Sequence, residues 1–377
     1  MSTTGAKTPH EDLHSEQGAL RGDRPDRAKN PVIKVEDLAW LEFEKPDLEA
    51  GERFAHDFGL VTAARTDTEL YLRGAMAGTH SLIIREGRTS RFVAPAFKAG
   101  SRADVARLAK ANGTGVRPLS GPGGGVGVDL LDPSGIPVRV VAEVQQSPEV
   151  GRQQPLVLNF GGEVRRANAT QRPPQEPARI DRLGHVVLET PSFRRVLDWY
   201  LENLGLIVSD FLYFPGQRDR GPTMAFIRCD RGSIPTDHHT LAMVLGPGRR
   251  YVHSAYQVAD FDAVAAGGEY LKKQGHQHTW GIGRHIQGSQ IFDYWRDPDG
   301  VMVEHFADGD MFDNTVEVGW AQMSASGLSQ WGPAVTRDFL GAKPSVHLIS
   351  DLVSALRDGD NEFDLRRLVG LAKVASS

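Results

Sequence analysis

The stretch IDRLGHVVLETPSFRRVLDWYLENLGL (180–206) decides how this chain folds, because VEDLAWLEFEKPDLEAGERFAHDFGL (35–60) echoes it. Each reads as an alternating strand, a proline turn (Pro191, Pro46), an amphipathic helix and a closing Gly-Leu. The parallel continues outward. Short strands AFIRC (225–229) and LYLRG (70–74) come next, then HTLAM (239–243) and HSLII (80–84). RYVHSAYQ (250–257) and RFVAPAFK (91–98) each lead into a helix. Both copies close on a turn and a strand, DPDGVMVEHF (297–306) and DPSGIPVRVV (132–141). The expected fold is therefore α+β, with two tandem domains built from paired βαβββ modules. A period near 150 residues is too long for a solenoid.

The 377 residues suffice for two cores. The segment 1–30 is polar and poor in large apolar residues, and is expected to be a disordered tail. Residues 31–150 form the first domain, 151–179 a polar linker, 180–310 the second domain and 311–377 an extension with a helical pattern over Ser345–Arg357. A net charge of −5 argues against nucleic acid or an anionic membrane as partner. The single cysteine, Cys229, excludes an internal disulfide and a cysteine-rich metal site. No apolar run approaches the ~20 residues that span a bilayer, and the start lacks a signal-peptide pattern. A cytoplasmic protein is expected.

A duplication supplies its own control, since structural positions should match between copies and chemical positions need not. Aligning the landmarks sets His185 against Trp40, His253 against Ala94 and Glu304 against Arg139. The second copy thus holds two histidines and a carboxylate where the first has no ligand set. Two imidazoles and one carboxylate form the facial triad of non-haem iron(II) oxygenases. An ionised carboxylate in an apolar strand is costly unless paired or metal-bound, which makes Glu304 the most informative of the three. Its neighbour His305 should face the other side of the strand. His276 and His278, in the polar loop GHQHTW, are expected to be solvated.

The motifs LGHVVL around His185, DHHTLAMV around His239, YVHSAYQV around His253, GRH (283–285) and YWRDPDGVMVEH (294–305) resemble the type I extradiol dioxygenases. These belong to the vicinal oxygen chelate superfamily, and include the dihydroxybiphenyl and homoprotocatechuate dioxygenases. The resemblance covers residues ~31–310 in architecture. It implies metal ligation by His185, His253 and Glu304, acid/base work by His239, and substrate-pocket roles for His285 and Tyr294. It implies Fe(II), with Mn(II) an alternative, and extradiol cleavage of a catechol-type aromatic by O₂ in aromatic catabolism. The relatives also imply a homo-oligomer. In that pattern His285 and Tyr294 would donate hydrogen bonds to bound oxygens, and His238 should alternate away from the site. His239 has a counterpart in the other copy, His80. Trp199 and Tyr200 read as core packing, and Trp280 stands just before the GIGRH turn. The Gly-rich loop GPGGGVG (121–127) lacks the Lys-Ser/Thr of a P-loop and reads as a turn. The rival readings are a glyoxalase-like lyase or isomerase, and a non-catalytic protein of the same fold that binds an aromatic ligand.

Overall fold

The computed structural model describes residues 16–17, 24–340, 346–357 and 361–375. In the first repeat, β1 (Val35–Lys45) leads through α1 (Leu48–Phe58) to β2 (Val61–Arg65), β3 (Glu69–Arg73) and β4 (Leu82–Glu86). The plan then recurs as β5 (Arg91–Ala99), α2 (Arg102–Ala111), β6 (Arg117–Pro118), β7 (Val126–Leu131) and β8 (Pro137–Ala142). These strands form one sheet in the order β2-β3-β4-β1-β5-β8-β7-β6.

The second repeat runs β9 (Arg182–Thr190), α3 (Phe193–Leu204), β10 (Leu206–Tyr213), β11 (Met224–Cys229) and β12 (Leu241–Leu245). Its second module is β13 (Arg250–Gln257), α4 (Phe261–Lys273), β14 (Gln277–His285), β15 (Ile291–Arg296) and β16 (Met302–Ala307). The sheet order β10-β11-β12-β9-β13-β16-β15-β14 matches that of the first repeat strand for strand. β17 (Gly319–Gln322) and β18 (Ser329–Trp331) from the extension add to opposite edges. Two helices, α5 (Val346–Arg357) and α6 (Leu365–Ala375), follow. No helix among the described residues is long and apolar enough to cross a membrane.

The closing Gly-Leu of each opening stretch has a structural reason. Gly59 and Gly205 end α1 and α3 at φ +103° and +64°, the left-handed region that a side chain disfavours. Their following leucines, Leu60 and Leu206, are buried. Each helix offers one apolar face to its sheet, Leu48, Phe54, Ala55 and Phe58 in α1 and Phe193, Val196, Leu197, Leu201 and Leu204 in α3.

Register repeats as well. Trp40 lies opposite Ala96, and His185 opposite Ala255. Ala96 pairs with Arg139, and Ala255 with Glu304. A register shift precedes Trp40 and another precedes His185, so both copies carry the same local re-aiming of a side chain.

Helix α1 joins the domains. His305 does face away from Glu304's side: its ring stacks on Phe58 at 3.9 Å and its Nε2 lies 2.7 Å from the Phe58 carbonyl. Lys45 is buried against Asp297 and, at 2.7 Å, Asp299 of the DPDG turn. Removing one partner of such a pair leaves a buried charge, so Lys45→Met is expected to cost about 3–5 kcal/mol. Pairing it with Asp297→Asn should recover much of that loss in thermal unfolding. Full recovery is not required, but no recovery at all would show that the pair is not what Lys45 supports.

One expectation changes here. Residues 24–30, placed in a disordered tail, pack on the second sheet. The Asp26 carbonyl accepts from Val208 N–H at 2.8 Å, and Arg24 donates to the Arg194 carbonyl at 3.0 Å. Glu16–Gln17 pairs with β17. The rest of that tail lies outside the described residues. His278 is exposed, as expected, and His276 half-buried, and each is paired with a carboxylate. His276 Nε2 lies 2.8 Å from Asp57 and His278 Nε2 2.7 Å from Asp293.

Candidate metal centre

Six adjacent strands each bring one polar side chain, in or next to the strand, to the same end of the second sheet. In sheet order, β12 follows His239, β9 carries His185, β13 His253, β16 Glu304 and β15 Tyr294, while β14 ends on His285. Laid flat, six strands would spread these groups over roughly 24 Å. Instead the imidazoles of His185 and His239 are 4.0 Å apart, and His285 Nε2 lies 3.8 Å from Glu304 Oε1. The sheet therefore curls around them.

His185, His253 and Glu304 each offer a donor atom, and these atoms lie within 4.8 Å of one another. The two Nε2 atoms stand 3.5 and 3.4 Å from Glu304 Oε2. That is too long for the charge-assisted hydrogen bond such a pair would otherwise form. It is close to the ~3 Å separation of neighbouring ligands around one first-row ion. Glu304 is 0% exposed, and neither carboxylate oxygen has a hydrogen-bond partner among the described residues. A buried carboxylate without partners is expensive, and a bound cation is what removes that expense. The donor set thus fits a divalent metal by its own chemistry.

Around this cluster the hydrogen bonds assign tautomers. His238 was expected to turn away. It instead lies beside His239, Nδ1 to Nδ1 at 3.0 Å, with its Nε2 2.6 Å from Asp210 Oδ2. With Asp210 accepting the Nε2 proton, His238 Nδ1 is the acceptor and His239 Nδ1 the donor. His239 Nε2 is left as a free lone pair. Burial, and then the neighbouring His185 and His238, hold the His239 pKa well below the ordinary histidine range.

His285 also departs from expectation. Its Nδ1 lies 2.8 Å from the Leu328 carbonyl, which can only accept, so the proton sits there. Nε2 then accepts from the Tyr294 hydroxyl at 2.9 Å. In this arrangement neither donates into the site: the Tyr294 proton is directed at His285 Nε2, and only lone pairs of the phenol oxygen remain free. Burial keeps His285 neutral, with its pKa lowered to about 4.

The wall beside Tyr294 is aromatic and comes partly from the extension. Trp280 lies 5.7 Å from Tyr294 with nearly parallel planes, and donates from Nε1 to the Pro333 carbonyl at 2.9 Å. Phe339 packs 4.8 Å from Tyr294, 4.6 Å from Trp280 and 6.5 Å from His253. Trp199 and Tyr200 pack against the core on α3, away from this wall.

Three histidines buried in these two sheets, His80, His285 and His305, have pKa values lowered to about 4 by desolvation. In each, folding favours the neutral ring, whereas the unfolded chain takes up the proton near 6.5. Their contribution is therefore full above about pH 6.5 and is lost as pH falls towards 4. Each adds about 1.4 kcal/mol per pH unit to that slope. Denaturant unfolding at stepped pH should show stability falling across this window. A flat profile from 6.5 to 4 would contradict the neutral assignment.

A sheet of paired βαβββ modules curled around a His-His-carboxylate cluster defines a protein of the vicinal oxygen chelate class. Residues 182–305 match the glyoxalase/bleomycin resistance protein/dioxygenase superfamily. Metapyrocatechase 2 of Cupriavidus necator is 32% identical over 332 residues, 87% of this chain and 98% of that protein. Biphenyl-2,3-diol 1,2-dioxygenase of Paraburkholderia xenovorans (strain LB400) is 24% identical over 325 residues, 82% of this chain and 99% of its own. Homoprotocatechuate 2,3-dioxygenase of Arthrobacter globiformis shares the fold, with TM-score 0.67 and 21% identity over 84% of this chain and 94% of its own. So does a Mn(II)-bound glyoxalase from Novosphingobium aromaticivorans, with TM-score 0.66 and 24% identity over 81% of this chain and 94% of its own. This chain belongs to the extradiol dioxygenases of that superfamily.

Proposed function

We propose that this chain cleaves the ring of a catechol-class aromatic with O₂, beside the diol, at an iron(II) held by His185, His253 and Glu304. The observation that carries the reading is the fully buried, partnerless Glu304 carboxylate facing two imidazoles, with His239, His285 and Tyr294 around it. Bound there, iron(II) would supply the Lewis acidity and electron transfer that let an aromatic diol react with O₂, and manganese(II) suits the same donors.

The chain's own groups handle protons and exclude water. His239 Nε2 accepts the proton of a substrate hydroxyl. The positive charge this creates is stabilised through His238 to Asp210, and the same path lets His239 return the proton later in the reaction. A diol bound beside Tyr294 would draw the hydroxyl proton away from His285 Nε2, so that Tyr294 donates to the substrate. Trp280 and Phe339 offer flat apolar surface to the ring. Trp280 is buried and Phe339 partly so, and together they keep bulk water from the reacting atoms.

The test is anaerobic loading with iron(II), followed by O₂ uptake and absorbance with a panel of substituted catechols. Metal-dependent uptake with a yellow ring-opened product is expected. Metal binding without catechol consumption would overturn the reading and favour lyase or isomerase chemistry on the same scaffold.

A further inference from the structure

Residues 151–179 join the two domains by an excursion away from them. The chain departs at Leu156, whose N–H donates to Asp260 at 2.7 Å, and is buried again at Ala178. Between these points residues 157–171 form an arm shaped by hydrogen bonds within itself. Phe160 and Glu163 exchange a backbone pair at 3.0 Å, and Asn159 Oδ1 accepts from the N–H groups of Arg165 and Arg166. The Gln171 amide meets both polar groups of the Val157 backbone.

The large apolar side chains of the arm face water. Val157, Leu158, Phe160 and Val164 are 47–75% exposed. A lone hairpin is marginally stable in water, and uncovered apolar side chains gain it nothing.

A second apolar stretch begins at the root of the arm. Asp260, which anchors Leu156, caps helix α4, and the next residue, Phe261, is exposed. Its ring stands 6.4 Å from that of Trp331, which is exposed on β18. β18 ends its sheet, so its outer edge is open among the described residues.

Charge and area narrow the choice of partner. The arm's arginines are engaged with the arm: Arg165 pairs with Glu163 at 2.8 Å and lies over the Phe160 ring, and Arg166 donates to the carbonyls of Val157 and Ala169. An anionic surface would have to break these contacts. The six exposed side chains present on the order of 600 Å² of apolar surface, taking roughly 150–250 Å² for a large side chain. That is the upper end of what a single protein leaves bare. Covered in two copies it amounts to about 1,200 Å², where stable interfaces begin.

We propose that the arm docks on a second copy of this chain, with Phe160 and Val164 of one copy against Phe261 and Trp331 of the other. The root of the arm adjoins Phe261, so a two-fold axis near Asp260 lets each copy give its arm and receive its partner's. β18 runs between Leu328 and Pro333, whose carbonyls hold His285 and Trp280. The contact therefore supports the segment that walls the metal centre. The proposal holds whatever reaction that centre performs.

Sedimentation equilibrium and photolytic carbene labelling of the full-length protein, supplied with manganese(II), test it. The parent chain is expected to be a dimer or a multiple of one. Phe160→Asp combined with Val164→Asp is expected to weaken association about 100-fold, the worth of two interface anchors. In that variant the untouched Phe261 and Trp331 should be labelled several times more than in the parent. Both substitutions lie at exposed positions, and metal content reports that the variant is folded. A monomeric parent would overturn the proposal; if that monomer sedimented with phosphatidylglycerol vesicles, the arm would belong to a lipid surface instead. Unchanged association in the variant would overturn it too. So would lost association with Phe261 and Trp331 labelled no more than before.

Discussion

Glu304→Gln is expected to reduce metal-dependent O₂ consumption by roughly three orders of magnitude or more. In the same protein, the rise in Tm that iron(II) confers should disappear. An ion present at a hundred times its Kd stabilises the fold that holds it by about 2.7 kcal/mol. The effect of the substitution on the metal-free protein has the opposite sign. There the wild-type chain buries a carboxylate with no hydrogen bond to either oxygen, whereas a neutral amide of the same shape is cheaper to bury. Metal-free Glu304→Gln should therefore unfold at the same or a higher temperature than metal-free wild type. A variant that kept the metal-induced rise would remove Glu304 from the ligand set. A large drop in metal-free Tm would mean that the carboxylate has a structural partner.

His239→Ala comes next in size, with an expected loss in kcat of about 10²–10⁴-fold at unchanged metal content, the usual worth of a positioned acid/base group. Its partners separate a chemical role from a merely structural one. Asp210 reaches His239 through His238, at 2.6 and 3.0 Å. Asp210→Asn keeps the shape and removes the charge that stabilises a protonated His239. A loss of about 10–100-fold is expected, typical of a partner that orients an active group. The acid limb of the pH–rate profile should also move to lower pH, because His239 becomes a weaker base. Reduced activity with the limb unmoved would make Asp210 a support for the fold only.

The ligand trio stood out in the sequence because the chain carries its own control. At three landmarks, Trp40, Ala94 and Arg139 occupy places that the other copy fills with metal donors. The partners of His239 were hidden for a local reason. Strand alternation predicts opposite faces for His238 and His239, but regular strand begins only at Leu241, so period two does not govern these residues. Asp210 sits just past a register shift in β10, which likewise upsets the face assignment. Leu328 and Phe339 belong to the extension, where no repeat marks their register. The packing of residues 24–30 escaped notice because composition reports side chains, and part of what holds this segment is a backbone hydrogen bond to Val208.

The extension also closes the site. The Leu328 carbonyl fixes the His285 tautomer, the Pro333 carbonyl holds the Trp280 indole, and Phe339 completes the aromatic wall. All three lie beyond the duplicated sheets that present the metal donors. The metal donors and part of the wall around them are thus written in different stretches of the gene. Descendants could rewrite the stretch after residue 310, and so reshape the wall, while the inherited strands kept the three donors in place.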